Sequence, residues 1–347
     1  MALESKSIQS KTNAKPSSCK KPAVLLLQMG GPDDIAGIQE FLFNLFRDKY
    51  IIQLPEFLQP FQTQFADFVS SRRAPKVAKL YEEIGGGSPI RFETECQATA
   101  LAKHLNNNSD ENYKCYIAMR YSNPFLAETL KQMVADGIDD LTVIPLYPHY
   151  SIATSGSSII ECQELFDESG FSKTTKIRYI ESWETNDYFI QLLVKRIQDG
   201  IQEFVDEGIC NPYLNPARLH ILFSAHGLPE SYVLNGDPYQ EQIKASIKAI
   251  MERLPDHRHS LAYQSRVGPV KWLGPSTDKE IKRLAKEEGI KNLLVVPISF
   301  VGDHIETLHE IGIEYKEFAL EKGIENFKIT RLPKANPLLI KALASLI

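Results

Sequence analysis

Gly289-Ile-Lys-Asn-Leu-Leu-Val-Val-Pro-Ile298 decides the fold, because it has a counterpart earlier in the chain, Gly137-Ile-Asp-Asp-Leu-Thr-Val-Ile-Pro-Leu146. Each stretch carries a short apolar run that is typical of a buried parallel strand. Val24-Leu-Leu-Leu-Gln-Met-Gly-Gly-Pro32 similarly resembles His220-Ile-Leu-Phe-Ser-Ala-His-Gly-Leu-Pro229. These pairs indicate two diverged copies of one α/β unit. The alternative is that any two Rossmann-like halves share a strand–glycine–helix pattern.

Short apolar runs alternate with amphipathic helical patterns along the chain. The predicted strands are residues 23–28, 114–119, 141–146, 176–180, 219–223, 261–264, 292–298 and 327–330. Such alternation predicts right-handed βαβ crossovers and parallel sheets with helices on both faces. We therefore expect an α/β fold of two similar Rossmann-like lobes, each a parallel sheet flanked by helices.

Length and composition are those of a two-domain globular protein. The chain has 347 residues, is 43% apolar and carries a net charge of −5, so we expect no nucleic-acid partner. We predict a disordered tail over residues 1–21 and an N-terminal lobe with an apolar lip over 22–183. A C-terminal lobe over 184–347 carries the metal site, and its last helix packs back on the first lobe. The boundary falls near the start of a long helix predicted over 187–204.

The cysteines and the hydrophobic pattern indicate in which cellular compartment the protein works. The five cysteines show no C-x-x-C spacing, which argues for reduced thiols in a cytosol-like compartment and against an iron–sulfur cluster. Residues 1–21 lack the apolar centre of a secretory signal, although an organelle transit peptide is a weak alternative. A run of about 18 apolar residues is absent, so we expect no membrane-spanning helix. These features predict a cytoplasmic protein.

Ligands of such folds bind at the carboxyl ends of the strands. His226 follows one predicted strand, and His304 and Glu306 follow another. An imidazole titrates near working pH and can act as a general base or a metal ligand. For His226, the alternative is a ring satisfied by backbone hydrogen bonds at a helix start.

Glu306, Glu310 and Glu314 follow one another at intervals of four residues. On a helix they share one face and repel each other, so they form either a solvated face or a path for a cation or a proton. A capping box between Asp303 and Glu306 explains part of the pattern. His304 and Glu306 lie about 200° apart on a regular helix, so both face one ligand only if the helix start is irregular or π-like. One histidine with a row of carboxylates would make a weak, open site for Fe²⁺.

Two N-terminal segments are candidates for contact with an apolar ligand. Tyr81-Glu-Glu-Ile-Gly-Gly-Gly-Ser-Pro89 lacks the Lys-Ser/Thr of a phosphate loop, so its glycines favour close approach to a flat ligand over nucleotide binding. Residues 41–61 are rich in Phe and Leu. They indicate either an ordinary amphipathic helix with a buried loop or a lip for a planar substrate or a bilayer. Arg72 and Arg73 beyond them either pair with ligand carboxylates or are solvated surface charge.

Motifs spread over nearly the whole chain point to one family. They are Met29-Gly-Gly-Pro32, Arg72-Arg-Ala-Pro-Lys76, Ile84-Gly-Gly-Gly-Ser-Pro-Ile90, Ser224-Ala-His-Gly-Leu-Pro229, Gly236-Asp-Pro-Tyr239, Gln264-Ser-Arg-Val-Gly-Pro269, Trp272-Leu-Gly-Pro275 and Asp303-His-Ile-Glu-Thr-Leu308. Together they resemble the ferrochelatase family. The resemblance implies a chelatase-like fold and a lyase-type enzyme that inserts Fe²⁺ into protoporphyrin IX. The products would be protohaem and two protons, in the terminal step of haem biosynthesis.

The resemblance also implies roles for single residues. His226 and Glu306 would be the catalytic pair that handles the iron, with His304 in the same pocket. Glu310 and Glu314 would continue as a path for protons or metal. The residues expected to hold the porphyrin are Met29, Arg73, Tyr81, Ser88, Arg120, Trp272 and Phe300.

Some features refine or qualify the resemblance. Gly312 stands where the family often carries an acid. The chain lacks the cysteine-bearing extension of animal relatives, so we expect no iron–sulfur cluster and no tightly bound cofactor. The lip and Met29 resemble the protoporphyrin-using, bacterial-type branch. Alternatives are a coproporphyrin or sirohydrochlorin chelatase and a non-catalytic tetrapyrrole carrier. The lip also predicts peripheral contact with the inner face of a membrane through residues 41–61, whereas the sequence predicts no oligomeric state.

Overall fold

Two parallel sheets, each four strands wide, form the centre of the fold. The computed structural model describes residues 20–52, 54–215, 218–266 and 270–347. The strands are β1 (Pro22–Gln28), β2 (Lys114–Met119), β3 (Asp140–Pro145), β4 (Lys176–Tyr179), β5 (His220–His226), β6 (Arg258–Gln264), β7 (Asn292–Pro297) and β8 (Asn326–Ile329). Every strand predicted from the sequence is present, and its ends differ by three residues or fewer.

The two sheets have the same internal order. The first runs β2-β1-β3-β4 and the second β6-β5-β7-β8, and all neighbours are parallel. Residues of β1 and β7 are buried throughout, as strands covered on both faces must be. This shared order confirms the two similar Rossmann-like lobes that the sequence predicted.

Helices flank both sheets. They are α1 (Ile38–Arg47), α2 (Gln62–Glu83), α3 (Ile90–Asn108), α4 (Leu126–Asp136), α5 (Ser157–Glu168), α6 (Asp187–Asp206), α7 (Glu230–Leu234), α8 (Tyr239–Met251), α9 (Thr277–Lys286), α10 (Lys316–Lys322) and α11 (Pro337–Ala344). Single 3₁₀ segments cover Glu56–Phe61 and Phe171–Lys173, and π-helical segments cover Ile152–Gly156 and Glu306–Tyr315.

One apolar core joins the two lobes. It contains Val24 of β1, Phe223 of β5 and the buried face of α6. The final helix, α11, crosses back and packs against α3 and α6, where Leu339 and Leu343 are fully buried. The lobes therefore share a continuous apolar interior. The division of the chain at residues 183 and 184 stays a prediction.

Some sequence predictions fall outside the described residues. These are residues 1–19 of the predicted tail, position 53 of the lip and positions 267–269 of one motif. None of the described helices is both long and apolar enough to cross a membrane. The described cysteines, Cys96, Cys115, Cys162 and Cys210, carry free thiols.

Candidate active site

The segment that carries the carboxylate row is a π-helix over Glu306–Tyr315. A π-helix has a wider turn than an α-helix and often marks a functional site. The expected departure from regular helical geometry is thereby confirmed. Nε2 of His304, just before the helix, lies 3.1 Å from Oε2 of Glu306. The irregular start therefore brings together two side chains that an α-helix would separate.

The capping box considered for Asp303 and Glu306 is not formed. Thr307 closes the turn instead, since its Oγ1 accepts the His304 N–H at 3.1 Å and donates to Asp303 Oδ1 at 3.2 Å. The other carboxylate oxygen of Asp303 pairs with Nζ of Lys334 at 2.6 Å. Thr307 thus holds the turn that precedes the helix, and the Glu306 carboxylate faces His304.

Three aromatic rings lead toward Glu306. The ring of His226, at the end of β5, meets Phe300 edge-to-face with centroids 6.4 Å apart. The Phe300 ring lies 4.4 Å from that of His304. β5 and β7 are neighbours in the sheet, so their carboxyl ends deliver these side chains to one place. His226, Phe300, His304 and Glu306 form a continuous row, which we call the iron row after the role that the sequence resemblance implies for it.

The His226 ring has a defined tautomer. Its Nδ1 lies 2.8 Å from the carbonyl oxygen of Gly227. A carbonyl only accepts, so Nδ1 carries the proton and Nε2 of the neutral ring carries the lone pair. The Tyr239 hydroxyl donates to the His226 carbonyl at 3.0 Å and also contacts Ser299 Oγ, which fixes the backbone beneath the ring.

Gly227 allows Trp272 to approach the iron row. A Cβ at position 227 would lie 2.6 Å from the Gln264 carbonyl oxygen and 3.1 Å from the Trp272 ring. Pro229 and Trp272 form an isolated antiparallel bridge. Trp272 therefore packs against Gly227, the residue that follows His226, and its role as a wall of the pocket stays a prediction.

The N-terminal lobe meets Glu306 through an apolar cluster. Its buried residues include Phe46 and Tyr81, with Met29 and Ile305 packed against them. The pKa of Tyr81 is raised well above its ordinary value, mainly by burial and to a smaller extent by the negative charge of Glu306. Because that charge acts on Tyr81 across the lobe boundary, the iron row and the apolar cluster are neighbours.

Ser88 packs against the glycine motif that follows Met29 in the N-terminal lobe. Its N–H donates to the Pro32 carbonyl at 2.8 Å, and its Oγ accepts from the Ile90 N–H at the start of α3. A Cβ at Gly31 would lie 2.6 Å from Cβ of Ser88. The two glycine motifs therefore pack directly on each other, next to Met29.

A cavity of about 510 Å³ opens between α2 and the C-terminal lobe. It is lined by Arg72, Arg73, Lys76, Val77, Leu80, Arg266 and Glu314. The Arg73 guanidinium lies over the Phe46 ring at 5.4 Å, and Arg72 lies over Phe68 at 4.5 Å. Basic side chains outnumber the one carboxylate, so the cavity favours anionic groups. We call it the basic mouth.

Glu310 and Glu314 lie in two different environments, so they do not form one continuation of the iron row. The Glu310 carboxylate accepts from the Ser265 N–H at 2.8 Å, Gln264 Nε2 at 3.1 Å and the Tyr315 hydroxyl at 2.9 Å, and also from Ser265 Oγ. Burial and then the Glu310 charge raise the pKa of Tyr315 well above its ordinary value. Glu310 therefore anchors the π-helix to the end of β6, whereas Glu314 faces the basic mouth.

Arg120 lies in an ion cluster of its own. Its guanidinium is 2.9 Å from Asp48 and 2.6 Å from Glu161, and the Tyr121 hydroxyl donates to Asp48 at 2.8 Å. Burial alone would lower the pKa of Arg120, but Glu161 and Asp48 outweigh it and raise that pKa. These partners already engage the guanidinium, and a contact of Arg120 with porphyrin stays a prediction.

The predicted lip divides into a buried and an exposed part. Phe41, Leu42 and Phe46 of α1 are buried against α2, so the ordinary amphipathic helix is the right interpretation there. Phe57 and Phe61, in the following 3₁₀ segment, are 76% and 57% exposed. Among the described residues of the lip, the large apolar side chains that are exposed belong to this second part.

Comparison with known proteins decides the family. The family model described as Ferrochelatase matches residues 21–347. The ferrochelatase of Geotalea daltonii is 45% identical over 329 residues, which cover 94% of this chain and 97% of that protein. The ferrochelatase of Trichormus variabilis is 43% identical over 326 residues, covering 93% and 81%. The chain belongs to the ferrochelatase family.

Membership in the ferrochelatase family confirms an enzyme of haem biosynthesis that inserts iron into a porphyrin. Among solved structures, SirB from Bacillus subtilis with Fe³⁺ matches with a TM-score of 0.53 at 14% identity, covering 94% of this chain and 93% of that chain. At that identity the likeness concerns the fold alone. It agrees with the chelatase-like lobes expected from the sequence.

Three residues near the candidate site were given no role by sequence reasoning. Lys76 lines the basic mouth. His309 is buried, with Nε2 3.0 Å from Glu83 Oε2 and Nδ1 3.6 Å from Glu314 Oε1. Glu93 contacts the turn before the π-helix. Lys76 stands in the motif Arg72-Arg-Ala-Pro-Lys76 but was assigned no role there. No local motif marks His309 or Glu93, although a glutamate in the apolar stripe of α3 was a usable signal. Within the described part of the chain, no cluster of three or more His, Cys, Asp or Glu side chains is placed to hold a metal ion.

Proposed function

We propose that this ferrochelatase inserts Fe²⁺ into protoporphyrin IX between the iron row and the apolar cluster. The products are protohaem and two protons. The observation that carries the proposal is that His226 and the His304–Glu306 pair both lie against the ring of Phe300, with Nε2 of His226 carrying the lone pair. Imidazole and carboxylate together suit a borderline cation that must bind weakly and then leave.

Proton removal follows from the same geometry. A flat free-base porphyrin holds its N–H groups in the ring plane, so a site that favours a bent ring lowers the barrier to metal entry. Nε2 of neutral His226 accepts one proton, and the Glu306 carboxylate accepts another. Met29 and Tyr81 lie on the apolar side, where they support the opposite face of the ring.

The basic mouth and the apolar surface account for the choice of porphyrin. Arg73, Lys76 and Arg72 are positioned to pair with propionate carboxylates, for which guanidinium groups are well suited. The remaining edge of protoporphyrin is apolar. Met29, Val77 and Ile84, which are partly buried against the apolar cluster, offer such an edge a water-excluding surface, which favours protoporphyrin over the more highly charged coproporphyrin.

Anaerobic turnover with both porphyrins tests the proposal. His226→Ala is expected to lower the rate of iron insertion about 100-fold or more, with porphyrin affinity unchanged in a fluorescence titration. His259→Ala is the matched control, because His259 is an exposed histidine in β6 of the same lobe. Full turnover by His226→Ala, or preference for coproporphyrin, contradicts the proposal.

We further infer that the exposed part of the lip rests on a membrane surface, on its cytoplasmic side. Phe57, Leu58 and Phe61 expose apolar side chains from one short segment, as interfacial segments do. Co-sedimentation with anionic vesicles is expected for the wild type and lost for Phe57→Ser/Phe61→Ser. Leu234→Ser, which removes an apolar side chain that is 83% exposed on another element, should leave it unchanged. Equal sedimentation of all three proteins contradicts the inference.

A further inference from the structure

The turn that precedes the π-helix is held from the opposite lobe. Glu93 of α3 is only 8% exposed. Its Oε2 accepts the N–H of Asp303 at 2.7 Å, and its Oε1 lies 2.8 Å from Nζ of Lys334. One buried carboxylate of the N-terminal lobe therefore contacts two segments of the C-terminal lobe.

Gln97, one helical turn further along α3, strengthens the same contact. Its Nε2 donates to the carbonyl oxygens of Val301 and Lys334, each at 3.2 Å. The Lys334 N–H in turn donates to the Val301 carbonyl at 2.8 Å. Lys334 has a φ of +50°, a conformation that side-chain-bearing residues seldom adopt unless their surroundings impose it.

The backbone of the turn approaches Glu93 very closely. A Cβ at Gly302 would lie 2.8 Å from Glu93 Oε2, so a larger residue there would displace the carboxylate. Lys334 also pairs with Asp303 Oδ2 at 2.6 Å. Burial alone would lower the pKa of Lys334, but the hydrogen bonds that its ammonium donates to Asp303 and Glu93 raise it, which keeps the ammonium charged between its two carboxylates.

These contacts lie next to the iron row. Asp303 is adjacent to His304 in the chain, and Thr307 links the Asp303 carboxylate to the first turn of the π-helix. A displacement of the turn by the loss of Glu93 therefore carries His304 and Glu306 with it. Displacements of about 1 Å are enough to slow a reaction strongly, because catalytic groups must meet the reacting atoms in a narrow range of geometry.

We propose that Glu93 and Lys334 are positioning residues for iron insertion, which fix the turn over residues 301–304 so that His304 and Glu306 face the porphyrin. This inference rests on the proposed function of the iron row. The competing explanation is a buried ion pair that affects folding stability alone. The two explanations predict different kinetics of iron insertion for variants that are fully folded.

The experiment compares Glu93→Ala, Glu93→Gln and Lys334→Met with the wild type, with Fe²⁺ varied anaerobically at saturating protoporphyrin. Glu93→Ala is expected to lower kcat/KM for iron about tenfold or more well below its Tm, while porphyrin affinity stays within about twofold of wild type. Glu93→Gln keeps an acceptor for the Asp303 N–H and should recover part of the loss. Lys334→Met should fall between wild type and Glu93→Ala.

Two controls separate the possible failures. Glu95→Ala removes an exposed carboxylate of the same helix, which pairs with Arg91 on the surface, and should behave as wild type. His226→Ala tests the iron row itself. If His226→Ala is inactive but the Glu93 and Lys334 variants turn over iron as wild type does, the positioning role is wrong and the proposed function stands. If His226→Ala is fully active, the proposed function is wrong. Should Glu93→Ala fail to fold, Glu93→Gln and Lys334→Met decide by the same readout.

Discussion

Oε2 of Glu306 lies 3.1 Å from Nε2 of His304, although the two residues are only two positions apart in the chain. The π-helix that begins at Glu306 makes this possible. The ring of His304 contacts the ring of Phe300, which also contacts the ring of His226. Carboxylate and imidazole therefore form one contacting pair at the end of the iron row.

Glu306→Gln should separate charge from shape at this site. Glutamine keeps the size of the side chain and a hydrogen bond to His304, but it removes the proton acceptor. We expect kcat for iron insertion to fall about 100-fold or more, with porphyrin affinity unchanged, as measured by anaerobic turnover and fluorescence titration. Wild-type turnover would show that Glu306 accepts no proton in the reaction.

Glu310 is expected to contribute mainly to stability. Glu310→Ala removes the acceptor of the Ser265 N–H and one of the two acceptors of Gln264 Nε2, and it should lower the free energy of unfolding by about 1–3 kcal/mol. Glu314→Ala, on the exposed side of the same helix, should change it by less than about 0.5 kcal/mol. Urea denaturation measures both.

Glu310→Gln then tests whether the row also carries metal or protons. If it does, metalation slows when iron is limiting, although Gln preserves an acceptor for Ser265. Unchanged kinetics together with reduced stability would assign Glu310 to anchoring the π-helix.

Arg120→Met should destabilise the N-terminal lobe. It leaves Asp48, whose side chain is 3% exposed, without its cation, and breaking a buried pair in this way costs about 3–5 kcal/mol. Thermal and urea unfolding measure the loss. Porphyrin affinity of the folded variant should stay at the wild-type value, and a clear loss of affinity would restore Arg120 to the binding site.

His149 should make stability depend on pH. The ring is buried at the lobe interface, with Nε2 2.9 Å from Ser246 Oγ, and burial lowers its pKa from 6.5 to about 3. The unfolded chain therefore binds a proton at a pH where the folded chain does not, so His149 makes stability fall as pH drops from 6.5 toward 3.

His149→Gln should weaken this pH dependence. In urea unfolding between about pH 4 and pH 6.5, the slope for the wild type should exceed that of the variant by up to about 1.4 kcal/mol per pH unit, the value for one proton. The other titrating groups are common to both proteins and cancel in the comparison. Parallel pH profiles would show that His149 is protonated alike in both states.

The sheets were predictable from the sequence because parallel strands buried on both faces are continuous apolar runs. Leu293 to Pro297 is such a run, and its bounds in the structure agree closely with those predicted. The irregular start of the helix at Glu306 was predictable for a different reason. Two functional residues two positions apart cannot share a ligand on a regular helix, so their pairing demanded a distortion.

Other features depend on partners that no local pattern identifies. Glu93 and Lys334 are separated by more than two hundred residues, and their pairing arises only when α3 packs against the second lobe. The apolar residues of α1 gave the same signal as the exposed Phe57 and Phe61, because periodicity does not tell which face a neighbouring helix will cover. The spacing of Glu310 likewise suggested one continuous acidic row. The sequence does not show that Gln264 and Ser265, at the end of β6, bind its carboxylate.

The crossing of α11 onto α3 and α6 has a consequence for biosynthesis. The apolar faces that Leu339 and Leu343 cover lie on segments made much earlier. Those faces remain uncovered on the ribosome until α11 has emerged, so the shared interior is completed only after residues 337–344 have been made. Nascent chains that stall before residue 337 should therefore be the forms that chaperones capture.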